Sequence, residues 1–109
     1  MISFVGPDIR VVPEAATYLS GFEAKWGPVS SYGPQAYEAA NIILSAIERA
    51  GKADRAAIRD AVRQTKDYKG ILRIPITLDG KGDVAGGQIF IFRVKNDQFV
   101  QDRLIRVRA

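Results

Sequence analysis

The sequence has 109 residues, of which 47% are hydrophobic and 26% charged, the usual composition of one globular domain. It contains no cysteine and no histidine, which excludes disulfides, thiolate nucleophiles, Cys/His zinc sites and catalytic Ser-His or Cys-His pairs. The net charge of +4 permits contact with nucleic acid or a membrane surface without requiring it.

The N-terminal residues predict a strand rather than a targeting segment. Residues 2–5 form a short apolar run that Gly6-Pro7 ends, as at the end of a strand. Residues 1–6 lack the basic region and the longer apolar region of a signal peptide. No apolar run in the chain reaches the roughly 18 residues that a membrane span needs.

Three helices are predicted in a helical segment, residues 13–66. The first begins at Pro13 and ends at Gly27-Pro28. The second begins at Pro34 and ends at Gly51. The third follows Asp54, which is typical of an N-cap.

The second helix has the strongest amphipathic pattern. Glu38 is expected on its polar face. The apolar face is wide and consists of Tyr37, Ala40, Ile43, Leu44 and Ile47.

A strand segment, residues 70–109, follows the helices. Residues 72–78 alternate apolar and polar, and Pro75 indicates an edge strand or a bulge there. Residues 88–94 are apolar on both faces, which predicts a central strand. The last strand is predicted over residues 99–107, with three arginines near its end, Arg103, Arg106 and Arg108. Helices followed by strands indicate an α+β arrangement if the chain stands alone.

Two charged features have ordinary explanations beside functional ones. Asp79 and Asp83 lie four residues apart in a glycine-rich turn, but two carboxylates supply too few ligands for a Ca²⁺ loop, so a solvated turn is expected. A basic stripe along the third helix could bind nucleic-acid phosphates or other anions, or could be an exposed helix flank; its members are Lys52, Arg55, Arg59, Arg63 and Lys66.

The loop before the second helix holds the candidate ligand-binding residues Tyr32, Gln35 and Tyr37. Helix N-termini attract anionic groups such as carboxylates. Tyrosine supplies an apolar wall and a hydroxyl that can orient a small polar ligand. For Tyr37 alone a place in the core is the simpler interpretation, and Tyr32 in the loop is the better candidate.

Several segments in order resemble one family of binding proteins. Residues 22–27, 32–40 and 46–51 resemble the C-terminal part of type I periplasmic solute-binding proteins, above all the branched-chain amino-acid receptors of ABC importers. Residues 68–71 and 76–83 look like that family's later glycine-containing signature, and residues 89–94 and 99–100 like its last strands. Two residues depart from the pattern: Glu38 stands where Asp is common and Leu78 where Phe is usual.

The resemblance implies an α/β fold class, in which this chain is part of a Rossmann-like lobe with three helices and about three C-terminal strands. Dimerisation or exchange of strands between copies would complete the sheet. It also implies a longer extracytoplasmic protein that binds a small amino acid or amide and delivers it to an ABC permease. This chain would supply one wall of the ligand cleft through Tyr32, Gln35 and Tyr37, and would bind little ligand alone.

No catalytic residue, metal or cofactor is expected, because histidine, cysteine and a paired-carboxylate site are all missing. Exposed apolar faces and free strand edges predict a homodimer or a domain-swapped assembly. Two other hypotheses stay open: a small basic nucleic-acid- or anion-binding protein that uses the basic stripe, and a structural fragment without activity.

Overall fold

The computed structural model describes residues 1–107. It contains three helices and a three-stranded antiparallel sheet. The strands are β1 (Ile2–Phe4), β2 (Gln88–Lys95) and β3 (Gln98–Arg106), and the helices are α1 (Ala16–Trp26), α2 (Gly33–Ala50) and α3 (Arg55–Arg63). Two 3₁₀ turns, Ile9–Val11 and Pro13–Ala15, lead into α1. Arg108, predicted near the end of the last strand, lies outside the described residues.

The sheet has the order β1-β2-β3, so the prediction that residues 88–94 form the central strand is confirmed. Phe90 and Phe92 of β2 are buried. Asn96 and Asp97 both have positive φ, 51° and 58°, and such a two-residue loop matches the twist of the strands it joins. In the β2–β3 pairing, Ile91 faces Arg103 and Phe92 faces Gln101, which leaves an extra β3 residue at a bulge.

The predicted end of α2 and start of α3 are confirmed at their capping residues, whereas α1 begins at Ala16, after a 3₁₀ turn at the predicted start. Gly51 ends α2 in the left-handed conformation, with φ of 65°. Asp54 caps α3, and its carboxylate accepts a hydrogen bond from the Ala57 backbone N–H at 2.8 Å. The Arg49 guanidinium donates to the Ala61 carbonyl oxygen at 2.8 Å, which ties the end of α2 to α3.

The strand predicted over residues 72–78 is wrong, since within the described chain this segment forms only isolated bridges. Tyr68 and Ile76 exchange two backbone hydrogen bonds of 3.0 and 2.9 Å, and Leu78 bridges to Val84. Arg73 has a φ of 63° and Pro75 has no N–H to donate, so an extended ladder is interrupted at both positions. The third strand of the sheet is instead the N-terminal β1.

The faces of α2 also differ from the amphipathic prediction. Its buried residues are spaced four apart and are Pro34, Glu38, Ile42 and Ala46. The large residues of the predicted apolar face are exposed, namely Tyr37, Ile43, Leu44 and Ile47. Glu38, expected on the polar face, is therefore buried, because it faces the connection between α3 and β2 rather than solvent.

Helix α2 packs on α3 and contacts α1 through Tyr37 and Tyr18, and the strands pair with one another, so the molecule has a helical half and a sheet half. Two connections join the halves, residues 5–15 and residues 64–87. The overall dimensions are 51 × 38 × 19 Å. In the part of the chain that is described, no helix is both long and apolar enough to cross a membrane.

Candidate functional site

A cavity of about 510 Å³ lies between the helical half and the sheet half. The sheet contributes Phe4, Phe92 and Phe99, and the helical half contributes apolar residues that include Leu19 and Val29. Apolar side chains therefore form most of the wall. The polar side chains at the cavity belong to Ser3, Asp8, Arg10, Glu23, Ser30, Ser31 and Gln35.

The N-terminal end of α2 is held against the turn that follows β1. Pro34, in the first turn of α2, is buried. The backbone of Gly6 approaches the Gln35 amide so closely that a Cβ at position 6 would collide with it. This contact places the helix start beside the cavity, and a larger residue at position 6 would displace the Gln35 side chain.

An ion pair lies at the cavity in the first connection. The Arg10 guanidinium donates to both carboxylate oxygens of Asp8, at 2.9 and 3.0 Å. Burial acts to raise the pKa of Asp8, but the hydrogen bonds and charge of Arg10 outweigh it and hold that pKa below its ordinary value. The Asp8 backbone N–H also donates to the Gln101 side chain at 3.0 Å, which links the connection to β3.

Gln35 is the polar side chain of the cavity with an unused acceptor. Its side-chain oxygen is buried and accepts no hydrogen bond from the described residues. A buried carbonyl oxygen without a partner is costly. The cavity therefore suits a small, largely apolar molecule, and the Gln35 oxygen, which is closed to solvent in this structure, is an unused acceptor beside it.

Comparisons with known proteins agree on one family. The family model described as "Periplasmic binding protein" matches residues 4–98. The chain belongs to the periplasmic binding protein family. The family and the structural neighbour described next are binding proteins, so the expectation of a binding role is supported at that level.

Among solved structures, this periplasmic binding protein is similar to a leucine-binding protein, LivK, of Thermotoga maritima. The TM-score is 0.79 and the sequence identity 25%; the match covers 94% of this chain and 29% of the other. The chain thus spans less than a third of the leucine-binding protein that it matches. A search of curated proteins finds no match. The predicted family resemblance and the lobe-fragment fold are confirmed by these findings.

The structure places the three candidate ligand residues differently. Gln35 lines the cavity. Tyr32 packs its ring against Phe4, a lining residue, with ring centroids 5.2 Å apart, and is 64% exposed. Tyr37 packs against Tyr18 with centroids 4.7 Å apart and does not line this cavity. A contact of any of the three with ligand stays a prediction.

The charged groups at the cavity, Asp8, Arg10 and Glu23, were missed as site residues at the sequence level. Asp8 and Arg10 lie in a segment without helix or strand periodicity, and their two-residue spacing matches no sequence motif. Glu38 was also missed as a buried group, because the amphipathic pattern assigned it to solvent. The resemblance gives an acidic residue, usually Asp, at position 38, and this was the signal that could have indicated a buried role for Glu38.

The charged features outside the cavity lie on the surface. The Asp79 carboxylate accepts hydrogen bonds from the backbone N–H groups of Lys81 and Asp83, at 2.8 and 2.9 Å, so it organises its own turn. The members of the basic stripe are all exposed, and Arg59 pairs with Asp60 at 2.8 Å. Nucleic-acid or anion binding by this stripe stays a prediction.

Proposed function

We propose that this chain is the part of an extracytoplasmic amino-acid-binding protein that forms one wall of the ligand cleft, and that the complete protein delivers its ligand to an ABC permease. The observation that carries the proposal is the mostly apolar cavity of about 510 Å³ with the unpartnered Gln35 oxygen in its wall. Its volume falls in the range typical of small-molecule sites. Family membership and the name of the leucine-binding neighbour support an amino acid as ligand.

In this proposal Gln35 accepts a hydrogen bond from the ligand's ammonium group, and Tyr32 borders the apolar wall beside Phe4. Tyr37 would contact the ligand only when the second wall of the cleft closes over the surface that holds Tyr37. Arg10 is engaged by Asp8, so it is a poor candidate for binding a ligand carboxylate. One wall leaves most of a ligand in water, and the isolated chain should therefore bind leucine weakly.

The test is a titration of the ¹⁵N-labelled chain with leucine, followed by NMR to millimolar concentration. The Gln35 side-chain amide and the backbone amides of residues 30–35 should shift, with no binding detectable by calorimetry at micromolar concentration. Gln35→Ala should remove at least about half of the shift at neighbouring amides, because the hydrogen bond to the ligand is lost. Gln64→Ala, at an exposed glutamine beyond α3, is the matched control and should change nothing.

Micromolar affinity of the isolated chain would contradict the single-wall proposal. Shifts that avoid residues 30–35, or that persist in Gln35→Ala, would contradict the assignment of the cavity.

We also propose that the isolated chain associates with a second copy of itself. The exposed apolar residues of α2 recur on one side of that helix, and exposed apolar surface of this kind drives association. In a solution of this chain alone, a second copy is the partner available to cover it. A homodimer and a domain-swapped assembly are both consistent with this proposal.

A further inference from the structure

Glu38 is a charged side chain in the interior without a cationic partner. It is 1% exposed and is the largest fully buried side chain of the described residues, and no ion pair among them involves it. Burying a carboxylate is unfavourable unless hydrogen bonds compensate for lost water. Its retention here calls for a specific contact.

The contact is with the second connection, at residues 68–71. One Glu38 carboxylate oxygen accepts a hydrogen bond from the Ile71 backbone N–H. The carboxylate also lies so close to Gly70 that a Cβ at that position would collide with it. Burial raises the pKa of Tyr68, and the nearby charge of Glu38 raises it further. Three positions of the connection therefore converge on one side chain of α2.

Backbone bridges hold this connection at Tyr68–Ile76 and Leu78–Val84, and among the described residues neither bridge includes Ile71, whose N–H donates to Glu38. Leu72 directly follows Ile71, is 9% exposed and lines the cavity. The hydrogen bond from Ile71 to Glu38 therefore sets the position of a cavity wall relative to the N-terminal half of α2, where Gln35 lies.

We propose that Glu38 is a positioning residue of the cavity: its carboxylate anchors the backbone at Gly70–Ile71 to α2 and thereby holds Leu72 in the wall of the cavity that Gln35 also lines. The role of that wall in ligand binding rests on the function proposed above. The anchoring itself does not, and it can be measured without ligand.

The decisive measurement is amide hydrogen exchange by NMR on the ligand-free chain. Glu38→Leu introduces an apolar side chain of similar size and removes the hydrogen-bond acceptor. The Ile71 amide should therefore exchange at least about tenfold faster. Glu38→Gln retains an acceptor oxygen and should restore slow exchange. Glu48→Leu and Glu48→Gln, at an exposed glutamate of α2, are the matched controls and should leave the Ile71 amide unchanged.

A second readout uses Glu38→Gln, which preserves the shape of the side chain. Removing the negative charge beside Tyr68 should lower the pKa of its hydroxyl, as followed by tyrosinate absorbance, and Tyr68→Phe identifies that titration among the four tyrosines. Unchanged Ile71 exchange in Glu38→Leu, or an unchanged Tyr68 titration in Glu38→Gln, would overturn the proposal. If both effects are observed but leucine induces no NMR shifts, the anchoring role of Glu38 stands and the proposed ligand function is contradicted.

Discussion

At the scale of single residues, two acidic side chains of the described chain, the half-buried Asp8 and the buried Glu38, fix the connections between the helices and the sheet. Asp8 orders the first connection through Arg10 and Gln101, and Glu38 orders the second through Ile71. Both connections join the helical half to the sheet half. Charged and amide side chains thus fix backbone that no helix or ladder fixes.

The Asp8–Arg10 pair predicts a sensitivity to acid. Arg10 keeps the pKa of Asp8 below its ordinary value of 3.8 despite burial, so the ion pair contributes stability above the unfolded pKa and loses it as the pH falls through the lower folded pKa. Asp8→Asn should lower the free energy of unfolding at pH 7 by about 1 kcal/mol. That difference from the original chain should shrink below about pH 4.

Urea unfolding between pH 2.5 and 7 measures this difference. Asp83→Asn, in an exposed turn, serves as the control and should show a smaller and flatter difference. A constant difference between Asp8→Asn and the original chain across the whole range would contradict the stabilising role of the charge.

At the scale of elements, local signals decided what the sequence could predict. The helix ends were predictable because Gly51 and Asp54 act through their own backbone neighbourhoods. The turn between β2 and β3 is local in the same way, because Asn96 and Asp97 adopt the positive φ that it needs. The strand over residues 72–78 was wrong because alternation is only a pattern, and the left-handed Arg73 and Pro75 interrupt its ladder. The pairing of β1 with β2 depends on contacts 88 residues apart along the chain, such as Ser3 with Ile91, which periodicity does not encode.

The site shows the same division. Gln35 was predictable as a cavity residue because it follows a loop and opens a helix. Asp8, Arg10 and Glu38 were not, because their positions depend on how the connections return to α2 and β3.

Two glycines in helical segments provide a matched test of this local reasoning. Gly21 lies inside α1 and Gly51 at the end of α2, and a Cβ would meet no atom within 4 Å at either position. Only Gly51 has positive φ, at 65°. Gly21→Ala should raise the free energy of unfolding by about 0.5–1 kcal/mol through helix propensity, whereas Gly51→Ala should lower it by about 1 kcal/mol through left-handed strain.

Chemical denaturation of both variants checks the two signs in one protein. Equal effects of the two substitutions would contradict the assignment of Gly51 as a left-handed cap.

At the scale of the whole molecule, the chain presents more apolar surface than its own elements cover. Leu44 is 63% exposed on α2, and Phe99 and Ile105 are 56% and 46% exposed on β3. The match to less than a third of the leucine-binding protein shows that relatives pack these elements in a larger molecule. Association of the isolated chain should therefore cover this apolar surface and raise the chain's stability.

The exposed face of α2 and the free edge of β3 are alternative routes to association. The edge carries a bulge opposite Ile91 and Phe92, and charges at Asp102 and Arg103, and such features discourage pairing between edges. The α2 face has no comparable charge among Ile43, Leu44 and Ile47. We therefore expect association through α2 to dominate over growth of the sheet.

Leu44→Glu combined with Ile47→Lys should shift the isolated chain toward monomer, raising the apparent dissociation constant at least about tenfold, because two apolar side chains leave the interface. Light scattering over a hundredfold range of concentration measures the shift. Val100→Glu combined with Ile105→Lys, on β3, is the matched control and should change the constant much less. A concentration-independent monomer mass for the original chain would contradict the proposal of self-association. A larger effect of the β3 pair would show that the interface lies on β3 rather than on α2.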